Sequence, residues 1–237
     1  MWTKQLLQAP PPHNLFLCCS APSVPKKPSF VKLCPTQNAK NHYNRVKAIS
    51  LDELPPNALR RKSDPQWRGG FTLGVDLGMA RTGIAISKGF NFRPVTVLEL
   101  RGQKLEVQMI NIAEQEEADE FVIGLPRSFD GKETPQSNIV RTVAGRLAIR
   151  AAERGWRVYL QDEHGTTTEA VDRMVNMGLS KSSQQRKLDA YAAMMVLERY
   201  FSTSGKDTEL VLPKNLELQG KLRKGPPKDN DFFSDED

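Results

Sequence analysis

The sequence has no apolar stretch long enough to cross a membrane, and cysteine is scarce. The longest uninterrupted apolar run covers residues 190–197, whereas a transmembrane helix needs about 20 apolar residues. We therefore expect no membrane partner. The 3 cysteines, Cys18, Cys19 and Cys34, all lie near the N-terminus. This excludes a disulfide framework or a cysteine-based metal site from the rest of the chain.

Acidic residues are missing from residues 1–48, which hold seven prolines and scattered Ser, Thr and Lys. This composition is typical of an organelle transit peptide, and a disordered proline-rich arm is the alternative. Arg45 is the single arginine and the prolines disfavour a helix, which argues against a mitochondrial presequence. A secretory signal is disfavoured because the apolar core at residues 15–19 is too short. We predict import into the chloroplast, to the stroma or nucleoid.

The formal net charge of +6 is concentrated in the N-terminal part of the chain. Up to residue 70 there are 11 basic and 3 acidic residues, whereas residues 71–201 hold 17 of each. Net charge is therefore no evidence that a domain at 71–201 binds nucleic acid. Residues 49–70 are predicted to be a linker, and residues 202–237 a polar tail whose acidic end is solvated.

Residues 71–201 are predicted to form one α/β domain. Three strand-like segments separated by short turns come first, and helical and strand-like segments alternate after them. The predicted strands are residues 71–77, 82–88, 94–100, 121–125 and 158–160. The predicted helices are residues 105–117, 135–154, 167–177 and 182–201, the last beginning at a capping box of Ser182 and Gln185. This order predicts a five-stranded mixed sheet, three antiparallel strands and then two parallel ones, flanked by helices.

One carboxylate, Asp76, stands inside the first apolar strand. Burying its charge is costly unless a cation or strong hydrogen-bond donors compensate it. The strand itself offers no such partner, so a bound metal or a phosphate-handling site is the economical explanation.

Further acids fall where this layout would bring them to Asp76. Asp162 and Glu163 follow the last predicted strand, at the sheet edge where ligands collect in α/β folds, and Asp189 borders the apolar stripe of the final helix. Singly, each is explained equally well by a polar loop or by a charge near a helix N-terminus. Together, like charges at one edge need a cation. Mg²⁺, with Mn²⁺ as the other option, suits such oxygen ligands and activates water for phosphodiester cleavage.

Four motifs occur in order: G-V-D-L-G-M-A-R-T-G-I-A-I-S at 74–87, G-L-P-R-S-F-D-G at 124–131 followed by Gln136, D-E-H-G-T-T at 162–167 and K-L-D-A-Y-A-A at 187–193. This set resembles the YqgF family, RNase H-like proteins described as pre-16S ribosomal RNA nucleases and Holliday-junction-resolvase homologues. The resemblance implies an RNase H-like fold and metal-dependent cleavage of nucleic acid. It also implies that Asp76, Glu163 and Asp189 are the catalytic, metal-binding carboxylates.

On this basis we expect an organelle-targeted, plant-type member that cleaves structured RNA, in the processing of a ribosomal RNA precursor of the pre-16S type. A four-way DNA junction is the alternative substrate. A monomer and a homodimer are both compatible with the sequence.

The chain departs from the family pattern at three positions. After Asp-Glu the family usually has Arg and then an apolar residue, and here these positions hold His164 and Gly165. The usual acid after the second strand's Ser is Lys88. These departures keep open a non-cleaving RNA-binding ribosome-assembly factor of the same fold. An ATPase is a further alternative, because Asp-Leu-Gly after a strand also resembles the first phosphate motif of actin and Hsp70. Those proteins need a second similar domain, which this sequence does not predict.

Other polar residues are candidates for substrate contact. Arg81 follows the turn after Asp76 and is placed to meet a phosphate, or is an exposed turn arginine. The remaining candidates are Asp162, His164, Asp130, and the helical series Arg146, Arg150 and Arg154. The series has the spacing of one basic face, suited to a nucleic-acid backbone or simply solvated. Asp130 is equally typical of a turn, and His164 either replaces the missing arginine when protonated or is a loop histidine.

Overall fold

The computed structural model describes residues 49, 53–64, 66–67, 69–89 and 91–227. The predicted transit peptide and the acidic end at residues 229–237 lie outside these ranges. Within them, no helix combines the length and the apolar character required to pass through a bilayer.

A mixed sheet forms the centre of the fold. Its strands are β1 Phe71–Leu77, β2 Thr82–Lys88, β3 Asn91–Leu98, β4 Ala118–Leu125, β5 Arg157–Asp162 and β6 Thr208–Leu210. They are ordered β3-β2-β1-β4-β5-β6 across the sheet. The first three strands are antiparallel, and β4 and β5 run parallel to β1. The predicted fold class is thus confirmed, but the count of five strands is wrong, because β6 adds a sixth, antiparallel to β5.

The helices cover both faces of this sheet. They are α1 Asn57–Ser63, α2 Gly102–Gln115, α3 Pro135–Ala152, α4 Thr166–Asn176, α5 Lys181–Ser202 and α6 Leu216–Lys224. The N-cap of α5 is Ser180, whose side chain accepts a hydrogen bond from the Ser183 amide, and not Ser182 as the sequence predicted. The capping box that does form opens α3, between Thr134 and Ser137.

Alternation along β1 separates the two faces. Leu73, Val75 and Leu77 are buried in the core that α2 and α3 share with the sheet. Gly74 and Asp76 therefore point to the opposite face, where the apolar residues of α4 and α5 form a second core. The carboxylate of the first strand thus lies on the α5 side of the sheet.

The segment predicted to be a linker contains α1, which is part of the folded unit. Asn57 and Ala58 of this helix are buried, as is Arg61. The Asn57 amide donates to Glu120, a fully buried carboxylate on β4, at 2.9 Å. The linker prediction is therefore wrong for residues 53–64, where a few apolar residues in a proline-rich, basic composition gave no recognisable pattern.

The predicted polar tail is also partly folded. Strand β6 extends the sheet, and Leu222 of α6 is buried in a small cluster with Ile49, Leu54 and Ala152. The tail prediction is therefore wrong for residues 208–224. A strand of three residues and a helix with one fully buried leucine carry too little periodicity to be recognised.

Candidate active site

A glycine on the neighbouring strand brings Asp189 to Asp76. The residue paired with Asp76 across β1 and β2 is Gly83. A Cβ atom at Gly83 would lie 1.8 Å from the main-chain oxygen of Asp189. Helix α5 therefore packs directly on the backbone of β2, which places Asp189 in the third turn of α5 beside Asp76.

A second glycine, on the other side of Asp76, makes room for Glu163. The register that pairs Val75 with Ile123 puts Asp76 level with Gly124 on β4. A Cβ atom at Gly124 would lie 1.9 Å from Glu163 Oε2. Two residues without side chains thus flank Asp76. The main chain of Asp189 fills the space at Gly83, and the carboxylate of Glu163 fills the space at Gly124.

Burial and mutual repulsion perturb these carboxylates. Burial, and then the nearby charge of Asp189, raise the pKa of Asp76 to about 7. Burial, followed by the charges of Asp76 and Asp162, raises the pKa of Glu163 to about 8. Glu163 Oε2 is buried and has no hydrogen-bond partner. The buried oxygen of Glu163 has no partner, and the neighbouring carboxyl of Asp76 also has a raised pKa. A bound cation would stabilise the ionised form of both carboxylates.

Asp189 already has a cationic neighbour in Arg81. The Arg81 Nε atom lies 2.9 Å from Asp189 Oδ2. The angles do not make this a hydrogen bond, since Oδ2 has no hydrogen-bond partner. The Arg81 side chain is 36% exposed, so solvent screens the ion pair, and its Nη1 atom donates to the Gln185 carbonyl oxygen at 3.5 Å. Among the described residues, no group of three or more His, Cys, Asp or Glu side chains is arranged as a ready-made metal cage.

The loop between β5 and α4 holds Glu163 through its main chain. The Glu163 amide donates to the Leu125 carbonyl oxygen at 3.3 Å. The Thr166 hydroxyl donates to the Glu163 carbonyl oxygen at 2.9 Å, and Asp162 Oδ1 accepts from the His164 amide at 2.9 Å. Glu163 therefore lies in a fixed turn at the carboxyl end of β5.

Arg199 of α5 also stabilises this loop through hydrogen bonds. Its Nη1 atom donates to the carbonyl oxygens of His164 at 2.7 Å and Asp162 at 3.3 Å, and its Nη2 atom donates to Glu169 Oε1 at 2.7 Å. The positive charge of Arg199 also opposes the rise in the pKa of Glu163. The sequence analysis missed this residue. Its one signal is a charged pair, Glu198 and Arg199, directly after the apolar run at residues 190–197 of α5.

A family model described as RuvX, Holliday junction resolvase, matches residues 70–203, more than half of the chain. The chain belongs to the RuvX family. YqgF is another name of this family, so the resemblance described in the sequence analysis is confirmed.

Two bacterial relatives of this RuvX-family chain carry the name "Putative pre-16S rRNA nuclease". The protein of Nocardioides sp. (strain JS614) is 37% identical over 142 residues, which cover 57% of this chain and 90% of the relative. That of Anaeromyxobacter dehalogenans (strain 2CP-C) is 36% identical over 130 residues, 54% of this chain and 93% of the relative. The prediction that the chain is a nuclease is confirmed at the level of the family.

A solved structure titled "T. thermophilus RuvC in complex with Holliday junction substrate" is also similar. It is 14% identical, with a TM-score of 0.41, over 60% of this chain and all of that chain.

The structure gives physical reasons for two departures from the RuvX-family pattern. Lys88 lies at the far end of β2, five residues from Gly83, which is about 17 Å along an extended strand. There it pairs with Glu116 at 3.3 Å, so it has no bearing on the carboxylates. Gly165 is the N-cap of α4 with φ 81°, a left-handed conformation that favours glycine over the usual apolar residue.

The basic series on α3 lies away from the carboxylates. Arg146 and Arg150 pair with the buried carboxylate of Glu106 at 2.6 Å and 3.3 Å, and Arg154 pairs with Glu114 at 2.7 Å. These ion pairs join α3 to α2 on the opposite face of the sheet from α5. The series is therefore not a free basic face, and its contact with substrate stays a prediction without support from the geometry.

Asp130 stabilises a turn, which is one of the two roles that the sequence suggests for it. Its carboxylate contacts Ser128 and pairs with Lys132 at 2.7 Å. Gln136 supports the edge of the sheet differently, because its Nε2 atom donates to the Leu77 carbonyl oxygen at 2.9 Å. That bond fixes the end of β1 one residue beyond Asp76.

Proposed function

We propose that this chain is a metal-dependent endonuclease that cleaves structured RNA, and that it processes a ribosomal RNA precursor of the pre-16S type in an organelle. One observation carries the proposal. The Glu163 Oε2 atom is buried without a hydrogen-bond partner, and it lies against Gly124, the residue level with Asp76 on β4.

The residues at this edge fit a divalent metal. Asp76, Glu163 and Asp189 offer only carboxylate oxygens, the donors that Mg²⁺ prefers and that Mn²⁺ also accepts. The raised pKa values of Asp76 and Glu163 indicate a site that lacks positive charge as it stands. Arg81 neutralises Asp189 alone, so these three carboxylates would hold the metal once the Asp189 side chain turns from Arg81 toward Asp76.

The chain's own residues set up the reaction. Asp76 is fixed by the sheet, and Asp189 and Glu163 are fixed by the two close approaches at glycine. Arg81, released from Asp189, is placed to neutralise a phosphate oxygen of the substrate. When bound, the metal supplies Lewis-acid stabilisation of the phosphodiester and lowers the pKa of water.

The substrate class is supported by the relatives. Those described above are named for pre-16S rRNA, which favours RNA. The description of the family model as a Holliday junction resolvase supports the alternative, a four-way DNA junction. A non-cleaving RNA-binding assembly factor is now supported only by His164, because Lys88 lies far from the site.

The organellar location is supported by composition alone. Residues 1–48 have no acidic residue, one arginine and seven prolines, which favours a chloroplast transit peptide over a mitochondrial one. Fusing residues 1–48 to a fluorescent protein in plant cells tests this. Fluorescence within chloroplasts is expected, and cytosolic or mitochondrial fluorescence would contradict the proposal.

The activity is tested with the full chain and two substitutions of the same type. Asp76→Asn alters the site, and Asp172→Asn alters an exposed aspartate of α4. Each protein is incubated with precursor rRNA fragments and with a four-way DNA junction, in Mg²⁺, Mn²⁺ or EDTA. Metal-dependent RNA cleavage that Asp76→Asn abolishes and Asp172→Asn preserves is expected. Cleavage of the junction alone would favour the resolvase, and binding without cleavage by any of the proteins would favour the assembly factor.

A further inference from the structure

An exposed aromatic side chain stands beside Glu163. Phe129, in the loop between β4 and α3, is 95% exposed. Its ring centroid lies 5.9 Å from that of His164, with the rings inclined at 64°. His164 directly follows Glu163 in the chain and is itself exposed. Two exposed aromatic rings therefore meet next to one of the three carboxylates.

The loop that carries Phe129 is held in place by hydrogen bonds on both sides of the ring. Arg127 and Glu133 form an antiparallel bridge, and the Ser128 amide donates to the Lys132 carbonyl oxygen at 2.9 Å. Phe129 is thus presented on a closed turn rather than on an open segment. Leaving its ring in water forgoes the free energy that burial would supply, so a ligand that covers the ring is favoured.

The surroundings of the two rings favour a nucleic-acid base over a protein side chain. Arg127, two residues before Phe129, is exposed, whereas Lys132, three residues after it, pairs with Asp130 at 2.7 Å. An exposed cation beside aromatic rings is typical of sites for unpaired nucleotides. Bases splayed from a structured RNA stack on Phe and His rings while phosphates meet nearby cations. A protein interface needs a far larger surface than two rings provide.

We propose that Phe129 and His164 form a stacking platform for one unpaired nucleobase next to the phosphodiester that the carboxylates address. This inference rests on the proposed function and refines it. The preferred substrate is then a structured nucleic acid with an unpaired nucleotide at the cut, such as a bulge or a loop, and not a continuous duplex. His164 would contact the nucleobase with an aromatic ring, whereas the arginine usual at that position in the family would contact it with a guanidinium group.

The test compares binding of two RNAs that differ in one nucleotide. One is a duplex with a single bulged 2-aminopurine, and the other is the same duplex fully paired. Binding is followed by anisotropy, and stacking by 2-aminopurine fluorescence, using the full chain with Asp76→Asn to prevent cleavage. This protein is the parent for three further substitutions, Phe129→Ala, Phe129→Trp and Ile149→Ala. Ile149→Ala is the control, because it shortens an exposed apolar side chain elsewhere, on α3.

We expect tighter binding of the bulged RNA, with a change in 2-aminopurine fluorescence. Phe129→Ala should weaken binding of the bulged RNA about tenfold and leave the paired RNA unchanged, whereas Phe129→Trp and Ile149→Ala should bind as their parent does. Equal binding of the bulged RNA by the parent and Phe129→Ala, with no difference in fluorescence, would overturn the platform and leave the nuclease proposal standing. Failure of the parent to bind either RNA would overturn both.

Discussion

The main-chain oxygen of Asp189 occupies the space that a side chain at Gly83 would fill. Gly83 is paired with Asp76, so the approach of α5 to β2 and the meeting of two carboxylates are one packing event. Stability and site geometry are therefore coupled at this glycine. No rotation of the Asp189 side chain relieves the overlap, because the atom in question belongs to the backbone.

Gly83→Ala is expected to destabilise the protein by about 3 kcal/mol, because overpacking against a helix backbone forces α5 off the sheet. It should also weaken metal binding, since Asp189 moves with α5. Chemical denaturation and metal titration measure the two effects.

The matched control is Gly145→Ala, in the middle of α3, where a Cβ atom would meet nothing within 4 Å. There alanine should raise the free energy of unfolding by about 0.5–1 kcal/mol, because glycine is the poorer helix former. Equal effects of the two substitutions would show that the approach at Gly83 is not close.

The sequence predicted those elements whose periodicity is long and whose turns are marked. Strands β1 and β2 have the predicted bounds, because alternating apolar residues end at clear turn residues. Helix α1 and strand β6 were not predicted, since their stability comes from contacts with distant parts of the chain. Asn57, for example, donates to Glu120, 63 residues away, and no local pattern records such a bond.

For the site, the sequence predicted which acids would meet but not what holds them. Asp76 was identified because a charge in an apolar strand needs an explanation, and Glu163 because it follows a strand at the ligand edge. Arg199 acts on main-chain carbonyl oxygens, which every residue possesses. These two contacts therefore leave no mark in the sequence, and the pairing with Glu169, 30 residues away, follows no local pattern either.

Removing the charge of Asp76 should stabilise the metal-free protein at high pH. The pKa of Asp76 is about 7 in the folded protein and about 4 in an unfolded chain. Between these values the folded state binds more protons than the unfolded state, so the free energy of unfolding falls as pH rises. Asp76→Asn has no proton to lose at this position, so its free energy of unfolding should not fall in this way. In EDTA it should match the parent at pH 4 and exceed it at pH 8 by about 4 kcal/mol.

Thermal melts at several pH values check this prediction, with about 2–4 °C expected per kcal/mol for a domain of this size. Asp172→Asn, on exposed α4, should keep the pH dependence of the parent. An Asp76→Asn protein that is less stable than the parent at pH 8 without metal would mean that the Asp76 carboxylate is not strained by burial.

Metal affinity should rise with pH through the range where the site carboxyls lose their protons. Because a metal binds the ionised form, protons on Asp76 and Glu163 compete with it. With pKa values of about 7 and 8, Mg²⁺ should bind at least tenfold more tightly at pH 8.5 than at pH 6.5. Calorimetry in buffers of different ionisation enthalpy should detect proton release on binding. Affinity that is constant over this range would exclude both carboxyls as ligands.

Arg199→Ala should weaken metal binding with little effect on the fold. The guanidinium supports the loop on both sides of Glu163 and lowers the cost of ionising that carboxyl, as partners of metal ligands do, and removing such partners typically costs 10–100-fold in affinity. We expect a loss of about tenfold. The rise of metal affinity with pH should also shift to higher pH, because Glu163 loses the charge that opposes its raised pKa.

Two further variants separate positioning from simple loss of charge. Arg199→Lys keeps the charge but cannot reach two carbonyl oxygens and a carboxylate at once, so it should restore the pH dependence more fully than the affinity. Arg173→Ala removes another arginine that joins α4 to α5, through Glu198 at 2.9 Å, and should leave metal binding unchanged. If Arg173→Ala weakened metal binding as much as Arg199→Ala does, the contact between the two helices, and not the hold on the Glu163 loop, would be what the site requires.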